Sequence, residues 1–182
     1  TPHLGANAVY RMAPLVADLE RLAADLAART PHPLTGPPGL NVGTIRGGHS
    51  VNTVPDRCTI EVDRRLVPGE SPADAEAELR ALADRHAATL EPIFAAPALA
   101  TPPDAEVVRR AADAVQAVTG RPARLIGARY ATEAADLTAA GIPAVVLGPG
   151  DPAQAHAADE SVPLDQVQSA AEVFHHLMTQ SE

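Results

Sequence analysis

Three prolines at positions 97, 102 and 103 divide this 182-residue chain into two segments with different patterns. Before them, the spacing of apolar residues predicts a helix, two strands, a second helix and a weak strand. After them, predicted helices and strands alternate. The first order is typical of α+β domains with antiparallel pairing, and the second is typical of α/β domains. We therefore predict two domains, residues 1–98 and residues 99–182.

The first segment combines both kinds of hydrophobic periodicity. Leucines three and four residues apart predict a long helix, which Pro14 kinks or restarts. From Cys58 onward, apolar and polar side chains alternate as in a half-buried strand. Ser71 followed by Pro72 is typical of a helix start. The predicted elements are a helix over residues 4–29, strands over 40–45 and 58–66, a helix over 71–88 and at best an edge strand over 90–99.

In the second segment, Gly120 and Gly141 lie where helices are expected to end. The continuous apolar run over residues 142–147 predicts a strand that is buried on both faces. The predicted elements here are helices over residues 104–119, 133–140 and 163–178, and strands over 123–126 and 142–147.

Charge and composition exclude several classes of partner. The net charge is −9, which argues against nucleic acid because phosphate binding needs a clustered basic surface. No apolar run approaches the roughly 20 residues that span a bilayer, so no membrane partner is expected. Cys58 is the only cysteine, which excludes an internal disulfide and favours the cytoplasm.

One loop carries side chains that could hold a metal ion. After the predicted strand at 142–147 the sequence presents His156, Asp159 and Glu160. Ligands bind beyond the carboxyl ends of strands in open α/β sheets, and a histidine with nearby carboxylates suits a metal. A polar loop without a ligand is the alternative. The histidines on predicted helices or in the Pro-rich loop are interpreted as structural or solvated: His32, His86, His175 and His176.

Four motifs resemble a known family. A Gly-Pro-Gly turn precedes an Ala-His-x-x-Asp-Glu loop at residues 155–160, and Thr-Glu-Ala occurs at 132–134. Gly-Gly-x-x-x-Asn-x-Val-Pro occupies residues 47–55, and Asp-x-Arg ends at Arg65. Together they are similar to the zinc-dependent amidohydrolases of the acetylornithine deacetylase and succinyl-diaminopimelate desuccinylase family.

The resemblance implies a fold and a set of site residues. The first segment is expected to be an α+β lid (dimerisation) domain, an antiparallel sheet with two helices. The second is expected to be the C-terminal α/β part of a metallohydrolase catalytic domain. His156 takes the place of a ligand in a two-metal site for zinc, with cobalt or manganese possible, and Asn52, Arg65 and Thr132 take the places of substrate contacts. For Arg65 the alternative is a surface charge at a strand edge.

The implied activity is removal of an acyl group from an N-acyl amino acid by a homodimer that forms through the lid domain. The Thr-Glu-Ala motif favours acetylornithine, while desuccinylase, aminoacylase and dipeptidase activities stay open. The family's His-x-Asp and Glu-Glu motifs do not occur in this chain. We therefore expect an N-terminal part and a first lid strand before Thr1, no catalytic residue within this chain, and no activity of the chain alone. A non-catalytic dimerisation module is the competing interpretation.

Overall fold

A two-stranded antiparallel ribbon organises the first part of the structure. A computed structural model describes residues 1–179, which form two units, Thr1–Ala98 and a second that begins at Leu99. In the first unit β1 (Gly39–Gly47) pairs with β2 (Cys58–Arg65). The register runs from Gly39 opposite Arg65 to Gly47 opposite Cys58. The antiparallel α+β prediction for this unit is confirmed.

Helix α1 (Ala8–Ala27) begins later than predicted because Asn7 caps it. The Asn7 side chain accepts hydrogen bonds from the backbone N–H groups of Val9 and Tyr10, at 3.0 and 3.1 Å. Residues 2–4 form a separate turn of 3-10 helix. Pro14 lies inside α1 without dividing it. Proline has no N–H group, so the carbonyl four residues before it lacks a helical donor. Because Pro14 is exposed, water can solvate that carbonyl.

The core of the first unit lies between the ribbon and two helices. Helix α2 (Pro72–Arg85) begins as predicted, with Ser71 as its cap. The buried side chains at the centre are Leu15, Leu19 and Leu82. Aliphatic residues from all four elements pack around them: Met12, Leu22, Leu40, Val42, Ile60, Val62, Leu79 and Ala88. A core of leucine, valine and isoleucine follows from the scarcity of aromatic residues.

A polar contact joins the two helices of this unit. His86, at the end of α2, lies with its Nε2 atom 2.6 Å from Oδ2 of Asp18 on α1. Both side chains are largely covered, and Arg85 approaches the same oxygen at 3.7 Å. His86 is therefore a structural residue.

The second unit is helical. Helix α3 (Glu106–Thr119) packs against α5 (Leu164–Thr179), and α4 (Ala134–Ala139) is a short helix between them in the chain. Gly120 ends α3 in a left-handed conformation, as predicted. The buried side chains of this unit are small: Val108, Ala111, Ala114, Ala135 and Val173.

The strands predicted for residues 90–99, 123–126 and 142–147 do not form in the described part of the chain. The α/β prediction for the second unit is therefore corrected to helices joined by extended segments. A strand requires a backbone partner along its length. At 142–147, the backbone N–H and C=O of Ala144 bond instead to the hydroxyl of Thr101. Ile142 and Val146 are exposed rather than covered on both faces.

Within residues 1–179, none of the helices combines the length and the hydropathy that crossing a bilayer requires.

Candidate functional site

Arg65, the last residue of β2, presents an exposed guanidinium. It shares the outward face of the ribbon with Asp63, and its Nε donates to Oδ2 of Asp63 at 2.7 Å. Among the described residues, this is the one hydrogen bond or ion pair of its guanidinium, so both terminal nitrogens remain available. Two parallel N–H groups of this kind match the two oxygens of a carboxylate. The end of β2 can therefore bind an anion of small size.

Arg64, the preceding residue, lies on the opposite face of β2. Only 7% of its side chain is exposed, and it forms a two-point ion pair with Glu70. This pair is absent from the predictions made from sequence. A signal was present, because strict alternation places Arg64 on the same face as the apolar Ile60 and Val62. A charged residue at such a position is rarely buried unless it has a partner.

The Glu70 carboxylate, in the loop that follows β2, has further partners besides Arg64. Oε2 accepts from the backbone N–H of Val67 at 3.1 Å, and Oε1 lies 3.4 Å from Nη1 of Arg29. Burial raises the pKa of the Glu70 carboxyl. The hydrogen bonds from Arg64 and Val67 and the charges of Arg64 and Arg29 outweigh it, so the net pKa lies below the usual value of 4.5. Glu70 is therefore ionised at neutral pH.

Asn52 lies at the other end of the ribbon, in the connection between the strands. It is exposed, and its side-chain oxygen accepts from the Ser50 hydroxyl. The connection is tied to the beginning of α1 by a bond from the Ala8 N–H to the Pro55 carbonyl. A rise of about 3.4 Å per residue separates the ends of β2 by roughly 24 Å. Asn52 therefore belongs to the connection at one end of the ribbon, and Arg65 lies at the other end.

Thr132 and His156 lie in the second unit. The Thr132 hydroxyl accepts from the Ala134 N–H at 3.3 Å, at the start of α4. His156 is exposed and has a left-handed backbone with φ of 66°, which is uncommon for a residue other than glycine. Its N–H donates to the Glu160 carboxylate at 3.1 Å. Within the described residues, no hydrogen bond links Thr132 to His156.

The described residues do not fit a metal site by themselves. Residues 1–179 contain no group of three or more His, Cys, Asp or Glu side chains placed to hold a metal ion. A zinc ion typically takes three or four protein ligands. His156 can therefore supply at most part of a coordination shell, and the Glu160 carboxylate beside it is engaged by the His156 backbone.

Comparison with known proteins identifies the family. Residues 1–91 match the family model of the peptidase dimerisation domain of M20 enzymes. This chain belongs to the M20 metallopeptidase family. Its first unit, with the ribbon and two covering helices, is the M20 dimerisation domain.

Two relatives extend the match over most of the chain. An acetylornithine deacetylase of Myxococcus xanthus is 32% identical over 176 residues, which cover 91% of this chain and 44% of the relative. A putative succinyl-diaminopimelate desuccinylase of Mycobacterium tuberculosis is 31% identical over 176 residues. This alignment covers 94% of this chain and 46% of the relative. The M20 chain described here thus spans about half the length of these relatives.

Solved structures show the same fold. An M20 family metallo-carboxypeptidase of Sulfolobus solfataricus superimposes with a TM-score of 0.63 at 20% identity, over 96% of this chain and 45% of that one. An aminopeptidase of Bacillus cereus superimposes with a TM-score of 0.66, also at 20% identity. The superposition covers 97% of this chain and 46% of the aminopeptidase. The family resemblance seen in the sequence motifs is confirmed.

Proposed function

We propose that this chain is part of a metal-dependent amidohydrolase that removes the acyl group from an N-acyl amino acid. In this reaction water adds to the amide carbonyl carbon, the C–N bond breaks, and the products are a carboxylate and a free amine. The first unit serves dimerisation, and the second contributes to the catalytic domain. The soluble cytoplasm is the proposed location. Curated relatives named for such reactions, matched over nearly the whole chain, support the proposal.

One observation on this chain supports the proposed class of substrate. Among the described residues, nothing engages the two terminal nitrogens of Arg65 at the exposed strand end, while its Nε is held by Asp63. This arrangement suits the α-carboxylate that every N-acyl amino acid retains. We assign Arg65 to bind that group, and Asn52 and Thr132 to further substrate contacts. Because Asn52 and Arg65 lie at opposite ends of the ribbon, they serve different active sites of the proposed homodimer.

His156 is the proposed metal ligand of this chain, with zinc as the proposed metal and cobalt or manganese as alternatives. The remaining ligands are proposed to come from outside residues 1–182, since the described residues supply no complete set. On this basis, the chain alone is expected to be inactive.

The test uses the product of the complete reading frame that contains this chain. Release of free amine is measured with N-acetyl-L-ornithine, N-acetyl-L-citrulline and N-succinyl-diaminopimelate, which correspond to the activities named for relatives. We expect the acetyl substrates to be hydrolysed fastest, and Arg65→Met to lower kcat/KM at least tenfold. Arg80→Met is the matched control, because Arg80 is an exposed arginine on α2 that pairs with Glu76.

The other outcomes separate the alternatives. Preferred hydrolysis of the succinyl substrate would assign desuccinylase activity, as the Mycobacterium tuberculosis relative suggests. A dimer that hydrolyses neither these three compounds nor other N-acyl amino acids and dipeptides would support the non-catalytic dimerisation module, since the family model covers the dimerisation unit. Equal activity of Arg65→Met and Arg80→Met would refute the assignment of Arg65.

A further inference from the structure

The backbone at Arg65 lies at an exposed end of the ribbon. Arg65 pairs with Gly39, which is the first residue of β1, so no further rung of the ladder follows it. A terminal residue of this kind usually has a loosely held backbone. A side chain that must meet a ligand in fixed geometry needs additional support at such a position.

Arg64 supplies that support. Its Nη1 donates to the backbone carbonyl of Arg65 at 2.6 Å and to Oε2 of Glu70 at 3.2 Å, and its Nη2 donates to Oε1 of Glu70 at 2.7 Å. The guanidinium therefore joins the end of β2 to a carboxylate five residues farther along the chain than Arg65. Because Glu70 also accepts from the Val67 N–H, the whole segment from Arg65 to Glu70 is closed into a hydrogen-bonded loop.

Stability alone does not explain this arrangement. Buried ion pairs can often be replaced by apolar residues without loss of stability, because desolvation offsets much of the attraction. The Nε of Arg64 is buried and finds no hydrogen-bond partner among residues 1–179, which adds to that cost. A charged pair in this place has a clear use if it holds the neighbouring backbone in one geometry.

We propose that Arg64 and Glu70 are positioning residues, and that their ion pair holds the end of β2 so that the terminal nitrogens of Arg65 meet a substrate carboxylate. This inference rests on the proposed role of Arg65 as the carboxylate-binding residue. Glu70 is ionised at neutral pH, so both partners of the pair are charged there.

The experiment measures how well the enzyme distinguishes a carboxylate from an amide. The product of the complete reading frame is assayed with N-acetyl-L-ornithine and with its α-carboxamide, and the ratio of the two kcat/KM values is compared among variants. This ratio does not depend on the fraction of folded enzyme. We expect Arg65→Met to lower it at least tenfold. We expect Glu70→Gln to lower it about fivefold, through a raised KM for the carboxylate substrate and an almost unchanged kcat.

Two further variants make the result specific. Glu76→Gln is the matched control, because Glu76 pairs with Arg80 on the exposed side of α2, so its ratio should equal that of the wild type. Arg64→Lys keeps the charge but loses the two-point geometry, and it should lower the ratio as well. It also provides the test if Glu70→Gln does not fold.

The possible failures are distinguishable. A ratio that falls in Arg65→Met but not in Glu70→Gln or Arg64→Lys overturns the positioning role and leaves the proposed function standing. A ratio that is unchanged in Arg65→Met overturns both the assignment of Arg65 and the inference that rests on it. Absence of hydrolysis by the wild type has the same consequence.

Discussion

Arg64 and Glu70 meet through two hydrogen bonds, of 2.7 Å between Nη2 and Oε1 and 3.2 Å between Nη1 and Oε2, on the helix-covered side of β2. The pair connects β2 of the M20 dimerisation domain to the loop before α2. Its exposed neighbour Arg65 is the side chain to which we assign substrate binding. The buried arginine thus has a structural task and the exposed one a chemical task, and strand alternation separates them.

The lowered pKa of Glu70 predicts how stability depends on pH. Its pKa in the folded protein lies below the usual value of 4.5, so its ionised form contributes stability above pH 4.5. That contribution is lost as the pH falls through the folded-state pKa. The difference in unfolding free energy between wild type and Glu70→Gln should therefore shrink below pH 4.5. This difference is measured by urea unfolding that is monitored through hydrogen exchange of the β1 and β2 amides. The α3 amides serve as an internal control. An equal difference at pH 7 and pH 3 would contradict the ion pair.

Gly47 lies in a tight contact between the ribbon and α1. A methyl group at this position would lie 2.8 Å from Cγ2 of Val9 and 2.9 Å from Sγ of Cys58. We expect Gly47→Ala to destabilise the first unit by about 1–3 kcal/mol through overpacking. Gly39→Ala is the control, since its nearest neighbour is Cβ of Arg65 at 3.9 Å. Hydrogen exchange of the β1 and β2 amides during urea unfolding measures the loss of unfolding free energy. Equal losses for the two substitutions would show that the contact is not tight.

Leu19 is at the centre of the first unit's core. It is 3% exposed and packs with Leu15 and Leu82. Leu19→Ala should cost about 2–5 kcal/mol of unfolding free energy, because it removes buried methyl groups and leaves a cavity. Leu4→Ala, at a side chain that is 78% exposed, should change stability by less than about 0.5 kcal/mol. A small effect of Leu19→Ala would mean that the helices do not cover the ribbon as described.

Metal content tests the proposed role of His156 in two steps. The purified chain, dialysed after exposure to zinc, should retain well below one equivalent, because residues 1–179 hold no group of three suitable ligands. In the product of the complete reading frame, His156→Ala should lower the bound zinc, measured by plasma emission spectrometry. His175→Ala, at an exposed histidine of α5, is the control. One tightly bound equivalent in the chain alone would show that its ligands have been misidentified.

Local signals predicted most of the helices and strands of the first unit. The alternation from Cys58 to Arg65 matches β2, and Ser71 with Pro72 marks the start of α2. The start of α1 lies four residues after the predicted one, because Asn7 caps the helix and its apolar neighbours hide this signal in the sequence. The same alternation could have predicted a buried Arg64, but its partner could not be chosen from sequence, since several glutamates lie within reach along the chain.

The second unit shows where sequence patterns are insufficient. The apolar run at residues 142–147 has the composition of a buried strand, yet no strand forms there. Composition describes how well a segment fits a sheet, whereas a strand exists only when other backbone groups bond to it. In the described structure Ala144 bonds to the Thr101 hydroxyl instead of to a neighbouring strand.

The amino-acid sequence by itself determined the family, the antiparallel unit and the identity of the candidate residues Asn52, Arg65, Thr132 and His156. These depend on local periodicity and on motifs, which are properties of neighbouring residues. Only the tertiary structure decided that Arg64 is held by Glu70 and that no other described residue engages the terminal nitrogens of Arg65. It also separated Asn52 from Arg65 by the length of the ribbon. Such relationships depend on the distances between side chains and on their burial, which are established only when the chain is folded.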